Sequence, residues 1–153
     1  MEVMFYQLLH APLERALPQL LEKTLERNWK AVVRAASDER VAALDDLLWT
    51  WRDDSFLPHA SSRDGDSAQQ PIWLTACDEN PNGAQVRFFV DGVDIVEPLT
   101  SAPDSCERAV LMFDGRDDEQ LARARAQWKQ LKDAGYALQY WAQRENGSWE
   151  KKA

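Results

Sequence analysis

The first fifty residues alternate between strand-like and helix-like patterns, and this alternation constrains the fold more than any other feature. Residues 3–9 (VMFYQLL) are rich in β-branched, aromatic and aliphatic side chains, which is typical of a strand buried on both faces. Residues 12–30 repeat leucine at helical spacing, residues 31–36 (AVVRAA) resemble a second strand, and residues 37–51 a second helix. This order predicts an α/β fold with a largely parallel sheet.

Local signals refine the two helices. Pro18 falls inside the first leucine pattern, so we expect that helix either to begin there, with the proline in its first turn, or to kink. Ser37 is the expected N-cap of the second helix, and Asp38 and Glu39 follow it, where their charges complement the helix dipole.

The rest of the chain continues the α/β pattern after one long interruption. Residues 52–70, rich in Asp, Ser and Gly, predict a surface loop. Further strands are predicted at 71–77, 85–92, 108–114 and 137–143, another strand piece within 93–107, and a helix at 116–136. We therefore expect a single domain over residues 1–143, followed by a polar tail at 144–153 that frays.

Composition limits the classes of partner and compartment. A net charge of −8 and a pI near 4.8 argue against a broad nucleic-acid-binding face, so any basic patch must be local. Cys77 and Cys106 form neither a disulfide framework nor a zinc pattern, which favours reduced thiols in a cytoplasmic protein. The N-terminus has an acid at Glu2 and no basic segment before a long apolar run, so we expect neither a signal peptide nor a membrane span.

The sequence offers little for catalysis or cofactors. The glycines are too far apart for a dinucleotide-binding or phosphate-binding loop, no GxSxG motif occurs, and the two histidines lack ligand partners at metal spacing. We expect no cofactor, no metal site and no catalytic residue. The acids Asp114, Asp117, Asp118 and Glu119 could hold a divalent cation or act as acid and base in a small metal-dependent enzyme. Favourable charge at a helix N-terminus explains them without a ligand.

The helix at 116–136 carries a tryptophan within a band of positive charge. Arg125, Trp128, Lys129 and Lys132 lie within one arc of about 100°, because they are spaced i, i+3, i+4, i+7. An apolar arc that should pack on the sheet adjoins them, and Trp128 borders both; this arc comprises Leu121, Ala124, Trp128 and Leu131. Such a border suits a ligand with an apolar side chain and a carboxylate, although a solvated face with an interfacial indole would look the same.

A second candidate surface spans the end of the second helix and the start of the long loop. Its large apolar residues are Leu48, Trp49, Trp51, Phe56, Leu57 and Pro58. Several should enter the core, and those left exposed would form a protein-contact patch. The loop could instead bury them, or the patch could be self-complementary and form a homodimeric module.

Over nearly its whole length the chain resembles the chi subunit of bacterial DNA polymerase III, an accessory protein of the clamp-loader complex. The resemblance depends on the strand 5-FYQL-8, on 44-LDDLLWTWRDDSFLPH-59, similar to the family's LDxxLW followed by SFxPH, and on 124-ARAQWKQLKDAGYAL-138, similar to its AR, aromatic-Lys and Gly-aromatic pattern. It is weakest between Ala60 and Arg108.

The resemblance implies a non-enzymatic adaptor with a Rossmann-like three-layer fold that lacks a nucleotide-binding motif. Arg125, Trp128, Lys129 and Lys132 would bind the acidic C-terminal tail of single-stranded-DNA-binding protein. A second surface, matching Trp49, Phe56 and Pro58, would contact the psi subunit or a helicase partner. Neither direct nucleic-acid contact nor a membrane is implied.

Overall fold

A computed structural model of the chain describes residues 1–51, 57–61 and 65–153. The strands are β1 (Glu2–Leu8), β2 (Ala31–Arg34), β3 (His59–Ser61), β4 (Ile72–Thr75), β5 (Val86–Phe89), β6 (Arg108–Asp114), β7 (Ala137–Gln143) and β8 (Trp149–Lys151). The α-helices are α1 (Leu13–Glu26), α2 (Asp38–Thr50), α3 (Val96–Ser101) and α4 (Asp118–Asp133), and a short 3-10 helix covers Ser67–Gln69.

The strands of the described residues form one sheet in the order β3-β4-β2-β5-β6-β1-β7-β8. Every described pairing is parallel except that of β7 with β8. The predicted α/β fold with a largely parallel sheet is therefore confirmed.

Helices cover both faces of the sheet, which gives three layers. On one face α1 and α2 bury leucines such as Leu17 and Leu44 against Met4 and Val33. On the other face α3 and α4 pack Leu99 and Leu131 against Phe5 and its neighbours. Because successive strand residues point to opposite faces, β1 contributes to both cores, and this double burial explains its long apolar run.

Two helix predictions have definite outcomes. Helix α1 begins at Leu13 and continues through the buried Pro18, so the alternative in which it begins at the proline is wrong. Ser37 is the N-cap of α2, and its hydroxyl accepts a hydrogen bond from the backbone N–H of Arg40 at 3.2 Å.

Three segments differ from the sequence prediction. Residues 93–107 contain the helix α3 rather than a strand, because the carboxylate of Asp94 accepts hydrogen bonds from the N–H groups of Val96 and Glu97. Within the predicted loop at 52–70, β3 pairs with β4 and Ser67–Gln69 form a 3-10 turn. The predicted fraying at 144–153 is wrong for Trp149–Lys151, which pair with β7 as β8.

None of the helices in the described ranges is long and apolar enough to span a membrane.

Candidate functional site

The junction between β6 and α4 fixes where the cationic helix lies on the sheet. The backbone N–H of Gly115 donates to the carbonyl of Leu8 at 2.7 Å, and a Cβ at position 115 would overlap the side chain of Gln7. Glycine is therefore required here by close approach rather than by backbone conformation. Asp117 then caps α4, because its carboxylate accepts from the N–H groups of Glu119 at 3.0 Å and Gln120 at 3.2 Å.

The apolar arc of α4 packs on the sheet as predicted. Ala124 and Leu131 are buried in the core with β1 and β6, and Leu121 and Trp128 pack against that core while remaining partly exposed. The buried Gln127 side chain accepts a hydrogen bond from the N–H of Ile95 at 2.9 Å, which joins α4 to the start of α3.

The indole of Trp128 lies between two aromatic rings of the sheet. Its centroid is 5.3 Å from the Phe5 ring, with planes at 84°, and 5.5 Å from the Tyr140 ring, with planes at 79°. Edge-to-face pairs of this kind add to the energy of area burial. Trp128 is therefore held in a fixed orientation by β1 and β7, with part of its surface left open to solvent.

Three cations next to this indole have no partner in the described parts of the chain. Arg125, Lys129 and Lys132 are exposed and form no ion pair or hydrogen bond with any described residue. Arg123, on the same helix, differs because it pairs with Glu119 at 2.8 Å and donates to the carbonyl of Gly92. The positive charge around Trp128 is thus available to a ligand, whereas that of Arg123 is not.

Tyr140 extends the site onto β7. Burial raises the pKa of its hydroxyl, and the nearby positive charge of Arg125 offsets part of that rise. The hydroxyl donates to the Gln7 side-chain oxygen at 2.9 Å, so the ring is fixed. Tyr140 was not among the predicted site residues, although the alternation of residues along 137–143 would have placed it on the α4 face.

The resulting surface can hold an apolar group and an anion together. The exposed part of Trp128 offers an apolar contact, and Arg125 can fork to a carboxylate from one turn away along the helix. The stems of Lys129 and Lys132 can cover apolar atoms while their ammonium groups meet further negative charge.

The acids at the β6–α4 junction have structural partners. The carboxylate of Asp114 accepts from the N–H of Arg116 at 2.9 Å and from its guanidinium at 3.3 Å, and Asp117 is the helix cap. Within the described residues, no three His, Cys, Asp or Glu side chains are grouped so that they could hold a metal ion. Helix capping and local pairing account for these acids.

The second predicted surface is described in part. The side chain of Trp49 is 58% exposed. Among the described residues, no other large hydrophobic side chain is exposed. The Trp49 ring lies 4.8 Å from that of the buried His59, and the half-buried Pro58 precedes that histidine. Leu48 and Leu57 belong to the core. Phe56 lies outside the described residues.

Comparisons with known proteins agree on a family. The sequence model of the family described as DNA polymerase III chi subunit, HolC, matches residues 1–139. A protein of Rickettsia prowazekii (strain Madrid E) named "Probable DNA polymerase III subunit chi" is 34% identical over 85 residues, which is 56% of this chain and 52% of that protein. The matched part thus spans about half the length of this curated relative. Because the family model matches most of the residues of this chain, the chain belongs to the DNA polymerase III chi subunit family.

Proposed function

We propose that this protein is a non-catalytic adaptor of the DNA polymerase III holoenzyme. In this role it binds the acidic C-terminal tail of single-stranded-DNA-binding protein and links that protein to the clamp loader during DNA replication, in the cytoplasm. Family membership supports the holoenzyme assignment. The single observation that supports tail binding is the group of three cations around the half-buried Trp128 that have no ion-pair or hydrogen-bond partner among the described residues.

The binding mode follows from the chemistry of such a tail. Its terminal Phe would pack on the exposed part of Trp128, and Arg125 would hold the α-carboxylate through two parallel hydrogen bonds. Lys129 and Lys132 would attract the acidic residues upstream. Because exposed ion pairs contribute little individually, most of the affinity should come from the buried Phe and the Arg125 contact.

The second surface would connect the protein to the rest of the assembly. Trp49 is exposed at the end of α2, and its ring contacts His59, the residue after Pro58. Phe56 lies between Trp49 and Pro58 in the sequence. Exposed aromatic residues of this kind are typical anchors of protein interfaces. The partner would be the psi subunit or a helicase. A net charge of −8 is consistent with a protein that reaches DNA mainly through another protein's tail.

Isothermal titration with a synthetic tail peptide tests the site. We expect a Kd on the order of micromolar that rises with salt. Arg125→Ala should weaken binding about tenfold or more, because it removes a charge-assisted contact to the carboxylate. Arg15→Ala is the matched control, since Arg15 is exposed on α1, away from the proposed site. Equal affinity of Arg125→Ala and the parent would show that the site is misplaced.

A further inference from the structure

A large cavity lies on the opposite face of the sheet from Trp128. Its volume is about 820 Å³, within the range of small-ligand pockets. Side chains of three central strands form its floor, and residues of α1, β7 and β8 form its walls; the floor residues are Met4, Val86, Phe88 and Val110. Neither the family match nor the sequence patterns assign a role to this cavity.

Besides Phe88 in the floor, four aromatic side chains line this cavity, namely Tyr6, Trp29, Trp141 and Trp149. The rings of Tyr6 and Trp141 are nearly parallel, at 17° with centroids 6.4 Å apart, and the Trp149 ring meets Tyr6 edge-on at 4.8 Å. All four residues are only half-buried. The exposed parts of the Tyr6, Trp141 and Trp149 rings therefore form a stacking surface on the cavity wall, whereas a guanidinium lies over the Trp29 ring.

Cations stand beside the aromatic rings. The guanidinium carbon of Arg27 lies 4.1 Å from the centroid of the Trp29 ring, and that of Arg108 lies 5.3 Å from the same ring. Lys23 and Arg27 form no ion pair with a described residue, whereas Arg108 pairs with Glu2 at 3.0 Å. Three cations and one acid, Glu26, line the cavity, and even with Glu2 counted against Arg108 the cations outnumber the acids, so the cavity is locally positive on an acidic protein.

We propose that this cavity binds a nucleotide, either free or as one unit of a single-stranded nucleic acid. A nucleobase stacks on aromatic faces without regard to sequence, and its phosphate pairs with Lys and Arg. A nucleotide carries both groups in one unit. This site is separate from the tail-binding face and goes beyond the proposed adaptor function.

The lack of a glycine-rich loop in the sequence does not exclude a nucleotide at this location. Dinucleotide folds bind their ligands beyond the carboxyl ends of the strands, with a glycine-rich loop. Val86 and Arg108, which line this cavity, are the first residues of β5 and β6, so the cavity reaches toward the amino ends. The net charge of −8 argues against a broad phosphate-binding face, not against a pocket that takes a nucleotide or two.

Indole N–H resonances of the ¹⁵N-labelled full chain give the first readout. The probes are thymidine monophosphate, a thymidine oligonucleotide of about eight residues and inorganic phosphate. Both nucleotide probes should shift the signals of Trp29, Trp141 and Trp149 and leave those of Trp73 and Trp128 in place. If the oligonucleotide binds much more tightly than thymidine monophosphate, the ligand is a single-stranded nucleic acid. If the two affinities are equal, the ligand is the free nucleotide.

Two pairs of variants keep the test independent of folding. Arg27→Gln, at the C-cap of α1, should weaken nucleotide binding about two- to fivefold, while Arg15→Gln in the first turn of α1 should not change it. Trp149→Ala should weaken binding about tenfold by removing a stacking face, whereas Trp49→Ala should have no effect. Arg125→Ala should leave nucleotide binding intact, which separates this test from that of the tail site.

Three results would overturn the proposal. The first is no shift of these indole signals at millimolar nucleotide, and the second is an equal response to inorganic phosphate. The third is a shift of the same indole signals by an acidic aromatic peptide and by neither nucleotide probe, which would assign the cavity to a protein partner.

Discussion

Trp128 has both a packing and a surface role. The sequence placed it at the border of an apolar and a basic arc, and the structure confirms that position, with Ala124 and Leu131 buried and Arg125 exposed. Its contacts with Phe5 and Tyr140 could not be derived from helical spacing, since these rings come from strands distant in sequence.

Truncation of Trp128 should reduce stability as well as tail binding. Trp128→Ala removes two edge-to-face contacts and should lower the free energy of unfolding by about 2–3 kcal/mol. Trp128→Phe keeps part of the contact and should cost less, about 1 kcal/mol. Urea denaturation measures both. Gln130→Ala is the control, because Gln130 is exposed on the same helix and its truncation should change stability by roughly 0.5 kcal/mol or less. Equal losses for the two alanine variants would contradict the packing described.

Tyr6 should make the protein less stable in alkali. Burial is the main cause that raises the pKa of Tyr6 above its ordinary value of 10.0, with Arg108 lowering it and Glu2 raising it. The folded chain then holds the phenolic proton more tightly than the unfolded chain, which ionises near pH 10.0. The stabilising effect is complete below that pH and is lost as the pH rises through the higher folded-state pKa.

Denaturant unfolding at a series of alkaline pH values tests this dependence. The free energy of unfolding should fall above about pH 10, and less steeply for Tyr6→Phe, which has no proton to lose. The two proteins are first compared at neutral pH to remove any packing difference. Identical slopes in alkali would mean that Tyr6 is not the group responsible.

At the level of elements, the cap of α4 should matter for stability and not for binding. Asp117→Ala removes the acceptor for two backbone N–H groups and should cost about 1 kcal/mol, whereas Asp117→Asn should retain most of the cap. Asp118→Ala is the matched control, since it removes one negative charge near the helix N-terminus but leaves the cap in place. It should lower the free energy of unfolding by roughly 0.3 kcal/mol. Thermal unfolding measures the differences.

The affinity for the tail should stay within about twofold in these variants, because the cations lie further along the helix. A large loss of affinity would implicate the junction acids in function.

Most elements could be predicted because their signals are local. The strand at 108–114 contains the apolar run AVLMF, the strand at 137–143 is rich in aliphatic and aromatic residues, and Ser37 is a good N-cap in the sequence itself. The elements that were missed depend on distant partners. Strand β3 is three residues in a polar segment, and its pairing with β4 is what defines it. Strand β8 likewise exists because Trp149–Lys151 pair with β7.

Helix α3 was missed for a different reason. It is six residues long and contains Pro98, so its helical periodicity is too short to detect. The first turn of α3 is held by hydrogen bonds from its backbone N–H groups to the carboxylate of Asp94, and the N–H of Ile95 donates to the side chain of Gln127.

For the whole molecule, one sheet separates three surfaces of different chemistry. The α4 face carries Arg125 and Trp128, the far end of α2 carries Trp49, and the aromatic cavity lies under α1. The first was predictable because a single helix supplies its cations. The cavity was not, since Tyr6, Trp29, Trp141 and Trp149 come from four parts of the chain that only the fold brings together.

In the proposed function, the α4 face receives the tail of single-stranded-DNA-binding protein. The most direct measurement is retention of that protein on the immobilised chain, with its tail intact and with its last few residues removed. We predict retention of the intact protein, loss on truncation of the tail, and loss on Arg125→Ala with an intact tail. Equal retention of the intact and truncated proteins would show that the α4 face does not bind the tail.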